Sequence, residues 1–208
     1  MQESQIDTTL RELFALYERY GAEAYGEAVT QTEHMVQSAQ LAEREDYDEE
    51  VVLAAFLHDI GHLYASATDA SATDASAVAE SAALPTQADA SVGAYGATEH
   101  AQLGSDYLRQ RGFSDRLTRL IENHVRAKRY LTFTQPGYYD ELSEASRQTL
   151  RLQGGPMDAT EAQDFEEDEL FALSLRMRHW DEAAKETGRP VTDLSEYRAR
   201  CRRYLLNQ

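Results

Sequence analysis

Phe56-Leu57-His58-Asp59-Ile60-Gly61-His62 ends an otherwise apolar run that begins near Asp48 and carries Val51, Val52, Ala55 and Phe56. The spacing predicts a buried helix running to His62, with Gly61 near its end. A charged aspartate beside a histidine in such a helix costs several kcal/mol to bury unless something neutralises it. A divalent metal does so, and imidazole with carboxylate suits iron, manganese or zinc. Neighbours on a helix point about 100° apart, so His58 and Asp59 reach different sides of one metal, or two metals. The bland alternative is a helix end whose His and Asp face water. Three further histidines count against it: His34 on an apolar-faced helix upstream, His100 opening another, and His124 in Glu122-Asn123-His124-Val125. His179, beside Trp180, reads as surface or packing, and Asp181 is a candidate closing ligand.

Outward from this stretch the periodicity is helical almost everywhere. Leu10, Leu13, Phe14, Leu16 and Tyr17 form an apolar stripe after a cap at Asp7 or Thr8. Segments near His34–Ala42, Leu103–Arg111, Leu117–Lys128, Glu141–Leu152, Glu166–Lys185 and Leu194–Leu206 read the same way. The expectation is one all-α domain over residues 1–208, a bundle of seven to nine helices. Ser66 to Gly96 breaks the pattern with Ala, Ser, Thr, Asp and Gly and a tandem SATDA repeat. Without large apolar residues to offset ordering entropy, it reads as a passive surface insertion, a lid being the alternative.

The charge balance narrows the partners. Twenty Lys+Arg against 37 Asp+Glu give a net charge of −17, which leaves no basic footprint for nucleic acid. Lys128 and Lys185 are the only lysines, and an acidic, lysine-poor surface fits a high-salt cytoplasm or an arginine-rich genome. The single cysteine, Cys201, cannot form an internal disulfide, and MQESQIDTTL has neither the basic nor the apolar region of a signal peptide. No apolar run approaches the ~18 residues of a membrane span. These features predict a soluble, cytoplasmic protein in a reducing compartment.

The order His34, His58-Asp59, His100, His124, Asp181 resembles the HD-domain superfamily in its two-metal form. More narrowly, it is similar to the mixed-valent di-iron oxygenases, the group of myo-inositol oxygenase and the phosphonate-cleaving HD oxygenases. The phosphonate branch matches in Gly26-Glu27-Ala28-Val29-Thr30-Gln31 and in Asn123-His124-Val125-Arg126-Ala127-Lys128. It also matches in Leu142-Ser143-Glu144-Ala145-Ser146, Gln153-Gly154-Gly155-Pro156-Met157 and Arg178-His179-Trp180-Asp181-Glu182. The likeness covers nearly the whole chain outside 66–96.

The resemblance implies an HD helical bundle holding two iron ions as an Fe(II)/Fe(III) pair. It assigns His34, His58 and Asp181 to one iron and His100 and His124 to the other, with Asp59 bridging. A carboxylate has two oxygens for two metals, whereas an imidazole normally serves one. Substrate contacts fall on His62, Lys128, Ser146 and Arg178. Tyr25 and Glu27 stand where the family has a tyrosine–glutamate lid, though Tyr25 is two residues before Glu27 rather than three. Proton handling would fall to His62 and Glu27. The implied reaction is O2-dependent C–P cleavage of a 1-hydroxyalkylphosphonate to phosphate and a carboxylate. Glu33, with Tyr17, Tyr20 and Tyr25, could supply an anion and aromatic faces for an ammonium group. That favours a 2-ammonio-1-hydroxyethylphosphonate, plain or N-trimethylated, giving glycine or glycine betaine. The rival is a metal-dependent phosphohydrolase on the same scaffold. The second-metal histidines and the Lys128, Ser146 and Arg178 flanks separate the two, and a non-enzymatic module would have lost a ligand.

Overall fold

From Val51 to Leu57 seven consecutive side chains are apolar, so every face of that segment must be covered, and all seven are at most 1% exposed. Asp48 starts the helix by accepting the Val51 N–H at 3.0 Å. The computed structural model describes residues 1–73, 97, 99–191 and 193–208, and these are all-α. The helices are α1 (Glu3–Tyr20), α2 (Gln31–Arg44), α3 (Glu49–Leu57), α4 (Ile60–Thr73), α5 (His100–Arg109) and α6 (Asp115–Thr134). They continue as α7 (Tyr138–Glu141), α8 (Glu144–Leu152), α9 (Ala159–Glu166), α10 (Phe171–Ala183) and α11 (Ser195–Leu206).

α3 is the axis, with α2, α6, α10 and α11 packed around it. The Phe56 ring is stacked between Tyr17, at 5.0 Å, and Tyr197, at 4.2 Å, and the Tyr17 hydroxyl donates to the Phe56 carbonyl at 3.0 Å. Each large side chain buried here contributes ~1.5–3 kcal/mol. Glu50, at the start of α3, accepts from Ser114, from Tyr204 at 2.7 Å and from Arg116 at 2.7 Å. One carboxylate thereby ties α3 to the beginning of α6 and the end of α11.

Three features differ from the sequence-based expectation. The helix predicted to run to His62 is interrupted at His58-Asp59, and α4 then continues to Thr73, so Gly61 lies inside a helix rather than at its end. Its task is contact. A Cβ on Gly61 would stand 1.8 Å from the His100 carbonyl oxygen and 2.8 Å from the Gly104 nitrogen, so only glycine lets α5 lie on α4. This interruption, with the short α7 and α9, brings the described helices to eleven rather than seven to nine. The first eight residues of the predicted insertion, 66–73, belong to α4, and 74–96 lie outside the described residues. Among the described residues no helix is long and apolar enough to cross a membrane.

Candidate metal centre

Four histidines converge from different elements: His34 on α2, His58 and Asp59 at the α3–α4 break, His100 opening α5 and His124 in the middle of α6. The four histidines are at most 6% exposed and Asp59 is 8% exposed. Each ring is fixed by a backbone carbonyl at its Nδ1: Ala184 for His34 (3.0 Å), Ala55 for His58 (2.9 Å), Ala97 for His100 (2.9 Å) and Ile121 for His124 (2.6 Å). A carbonyl can only accept, so each Nδ1 carries the hydrogen, and a neutral ring then keeps its lone pair on Nε2.

These lone pairs meet in two sets. The Nε2 atoms of His34 and His58 are 3.1 Å apart, and those of His100 and His124 are 3.0 Å apart. Two lone pairs at that distance repel unless a proton or a cation lies between them. Asp59 faces both sets: Oδ2 is 3.6 and 3.5 Å from His34 and His58, and Oδ1 is 3.5 and 3.6 Å from His100 and His124. Asp181 joins the first set alone, with Oδ1 3.2 Å from His34 Nε2 and 3.9 Å from His58 Nε2. Donors held about 2.1 Å from a common first-row cation stand ~3.0–3.5 Å from one another, so each set has the spacing of a metal shell. The donor chemistry fits metal ions, one in each set.

Electrostatics follows the same geometry. Burial alone would raise the Asp59 carboxyl, but the surrounding His58, His62, His100 and His124 hold it below the usual carboxylate range. Burial and repulsion from His100 push His124 down to about 3 and His62 well below its ordinary value, so both rings are neutral, as a ligand requires. Burial is the largest single influence on His34 and pulls it down, yet the hydrogen bond and charge of Asp181, with the Asp59 charge and the Ala184 carbonyl, together outweigh it and hold that ring above its ordinary value.

His62 lies within ligating range of Asp59 and His100, its ring stacked 3.9 Å from that of His100. Its tautomer sets it apart. Nδ1 accepts the Ala97 N–H at 2.9 Å, so a neutral His62 carries its hydrogen on Nε2 and acts there as a donor.

The cleft beside the histidines brings together Tyr25, Glu27, Lys128, Ser146 and Arg178 from the sequence reading. Lys128 is 3% exposed, and its ammonium donates to Thr149 Oγ1 at 3.0 Å. Burial, then the nearby Arg178, pushes it down to about 7. Arg178 pairs with Asp181 and donates to Tyr138 at 3.1 Å and Glu182 at 3.0 Å, so it supports a candidate ligand as well as facing the cleft. Tyr25 is held in the left-handed region (φ 44°), with its hydroxyl 2.6 Å from Ser66 Oγ and its ring 5.2 Å from that of His62. Glu27 pairs with Lys185 at 2.7 Å.

Glu33 is not brought to this cleft. Its carboxylate accepts the Thr30 N–H at 2.8 Å and the Thr30 hydroxyl at 3.0 Å, closing the capping box of α2, and it lines a separate cavity of about 560 Å³ between α1, α2 and α11. Tyr17 is spent in the core stack, 4% exposed. His179 is exposed on α10 with Glu182 3.8 Å away. Sequence reasoning missed three polar cleft residues: Gln31, whose buried Oε1 has no hydrogen-bond partner among the described residues; Thr149, which holds Lys128; and Lys185. Only Lys185 carried a signal, as the second of two lysines.

A family model described as HD domain matches residues 32–164. An uncharacterised protein of Acanthamoeba polyphaga mimivirus is 38% identical over 93% of this chain and 80% of its own length. A glycine-betaine-forming 1-hydroxy-2-(trimethylamino)ethylphosphonate dioxygenase of Leisingera caerulea is 36% identical over 86% of this chain and 81% of its own. A hydroxymethylphosphonate dioxygenase of Gimesia maris is 35% identical over 89% and 82%.

Proposed function

The chain belongs to the HD-domain family, and from that premise we propose that it is a di-iron oxygenase cleaving the C–P bond of a 1-hydroxyalkylphosphonate. The reaction consumes one O2, adds both of its oxygen atoms to the products, and releases phosphate, a carboxylate and one proton. His34, His58 and Asp181 would hold one iron, His100 and His124 the other, with Asp59 spanning the two. When bound, the irons supply the redox equivalents that activate O2 and a Lewis-acidic seat for the substrate's oxygens.

The protein's own residues bind and orient. Lys128 carries the argument: its ammonium is buried beside the histidine sets, and among the described residues no carboxylate pairs with it. A buried charge needs a counter-charge, and a phosphonate dianion supplies one. Arg178 adds a second cation, and Ser146 a hydroxyl from α8. His62 Nε2–H would donate to an oxygen developing charge beside the metals. The two dioxygenase relatives are named for substrates that share a hydroxylated carbon bonded to phosphorus. On the next carbon we read an ammonium group, plain or N-trimethylated, with the Gln31 carbonyl oxygen and the Tyr25 ring facing it in place of Glu33.

The test is to load the protein with iron and incubate it in air with hydroxymethylphosphonate, 2-amino-1-hydroxyethylphosphonate and its N-trimethyl analogue. Phosphate and the matching carboxylate should appear in equal amounts, with O2 consumed. Hydrolysis of phosphoesters by the zinc-loaded protein, without oxygen and with no turnover of the hydroxyphosphonates, would replace this reading with the hydrolase.

A further inference from the structure

Lys185 follows α10 in a segment without regular structure, yet its backbone is fastened to α2 on both sides. The Ala184 carbonyl accepts from His34 Nδ1 at 3.0 Å. Gln37 then grips Glu186 twice, accepting its N–H at 2.9 Å and donating to its carbonyl at 2.9 Å. Three hydrogen bonds fix residues 184–186 against the helix that carries His34, and the Lys185 side chain is left on the metal cleft. A lysine held this way has less backbone freedom to lose when it grips a ligand.

Its ammonium and the Ser143 hydroxyl converge on a single oxygen. Lys185 Nζ is 2.7 Å from Glu27 Oε1, Ser143 Oγ donates to the same oxygen at 2.6 Å, and Lys185 reaches Ser143 Oγ at 3.2 Å. An ammonium and a hydroxyl aimed at one anionic oxygen are also what a phosphonate or phosphate oxygen requires. The oxygen now there belongs to the protein.

We propose that Lys185 and Ser143 form a further anion-binding position on the cleft, covered by the Glu27 carboxylate, and that an oxygen of the phosphonate, or of product phosphate, exchanges with Glu27 there. The inference rests on the reading of the cleft as a phosphonate site. Glu27 then acts as an internal competitor: it neutralises Lys185 while the cleft is empty of anion, and it weakens phosphate binding, which favours product release. Unlike Lys128, Lys185 has a resident carboxylate partner, so the two lysines of the chain do different work on one anion.

The measurement is calorimetric binding of inorganic phosphate to metal-loaded protein, wild type and variants. Lys185→Met should weaken phosphate about tenfold or more, as loss of a charge-assisted contact does. Glu27→Gln should tighten it several-fold by uncovering Lys185, since a competing state taxes apparent affinity. Combined with Lys185→Met, Glu27→Gln should give no gain, because there is no lysine left to uncover. Circular dichroism checks that each variant folds, and Glu27→Gln alone decides the matter if Lys185→Met does not fold. Unchanged or weaker phosphate binding in Glu27→Gln overturns the proposal and leaves the pair a structural tie. Should the cycle hold while wild type releases no phosphate from any hydroxyphosphonate, the oxygenase reading fails and the anion position stands.

Discussion

Gly61 and His100 touch through their backbones, with no room between them for a methyl group: a Cβ on Gly61 would stand 1.8 Å from the His100 carbonyl oxygen. The two residues open the helices that cross there, and His100 belongs to the second histidine set. The tightness of the crossing therefore sets where that imidazole can stand. Gly61→Ala should push α5 off α4, because the obstruction is backbone and cannot rotate away. The expected cost is ~1–3 kcal/mol or more in stability. Metal content after reconstitution should fall by about half as His100 leaves its partner His124, read by elemental analysis. Full metal content and an unchanged melting temperature would show that the helices can part without moving the site.

Lys128 stabilises ligand binding at the expense of the fold. Its ammonium is buried and pushed down to about 7, from an ordinary lysine value near 10.5. Between those values the unfolded chain binds a proton that the folded chain does not, so stability rises with pH across that window. Below about 7 both states are protonated and the full burial penalty applies. Lys128→Met should remove this rise in denaturation experiments run from pH 7 to 10, and should match or exceed wild type in stability at pH 7. Phosphonate turnover should fall ~10²-fold in kcat/KM. Metal content should not change, since no candidate ligand bonds to this lysine.

What the sequence could show of this site follows from helix geometry. Histidines and aspartates inside apolar helices stand out because burial forces a reason for them, and His34, His58, Asp59, His100, His124 and Asp181 lie in or beside such segments. Adjacency misleads by the same geometry. Glu33 is next to His34 in the chain, but neighbours point about 100° apart, and the Thr30 capping box claims its carboxylate. Lys185 was opaque for the opposite reason. It lies past the end of α10, where periodicity has nothing to say, and its place depends on hydrogen bonds from His34 and Gln37, about 150 residues away. Gly61 looked like a helix end because glycine usually marks one, whereas its role depends on a helix reached only after the 74–96 stretch.

Glu50 predicts how the scaffold meets acid. Burial works against its ionised form, but Ser114, Arg116 and Tyr204 together hold its carboxyl below the ordinary value of 4.5. A folded-state value below the unfolded one means the contribution is present above about pH 4.5 and is lost as pH falls below it. Glu50→Gln should lower the melting temperature at pH 7 by a few degrees, the scale of ~1 kcal/mol in a chain of this size. The gap between variant and wild type should close as the pH is lowered toward 3. A gap that stays constant down to pH 3 would mean the carboxylate's charge contributes nothing and only its shape matters.

Asp59 and Asp181 differ in reach, and metal counting can separate them. Asp59 presents one oxygen to each histidine pair, at 3.5–3.6 Å from all four Nε2 atoms, whereas Asp181 Oδ1 addresses only His34 and His58. Removing a shared ligand takes a donor and a negative charge from both shells at once. Asp59→Ala should therefore bind far less than one metal per chain. Asp181→Ala should keep about one, in the His100/His124 set, given the weight each anionic ligand carries in such small donor sets. Asp181→Ala also strips Arg178 of its nearest carboxylate and leaves Glu182 as its remaining anionic partner, so activity loss there has two causes and metal content is the cleaner readout. Electron paramagnetic resonance adds a second check: partial oxidation of the iron-loaded wild type should give the signal of a coupled Fe(II)/Fe(III) pair, absent from both variants. If Asp59→Ala retains two metals per chain, the bridging role is wrong, and the two histidine sets are independent sites that happen to flank one aspartate.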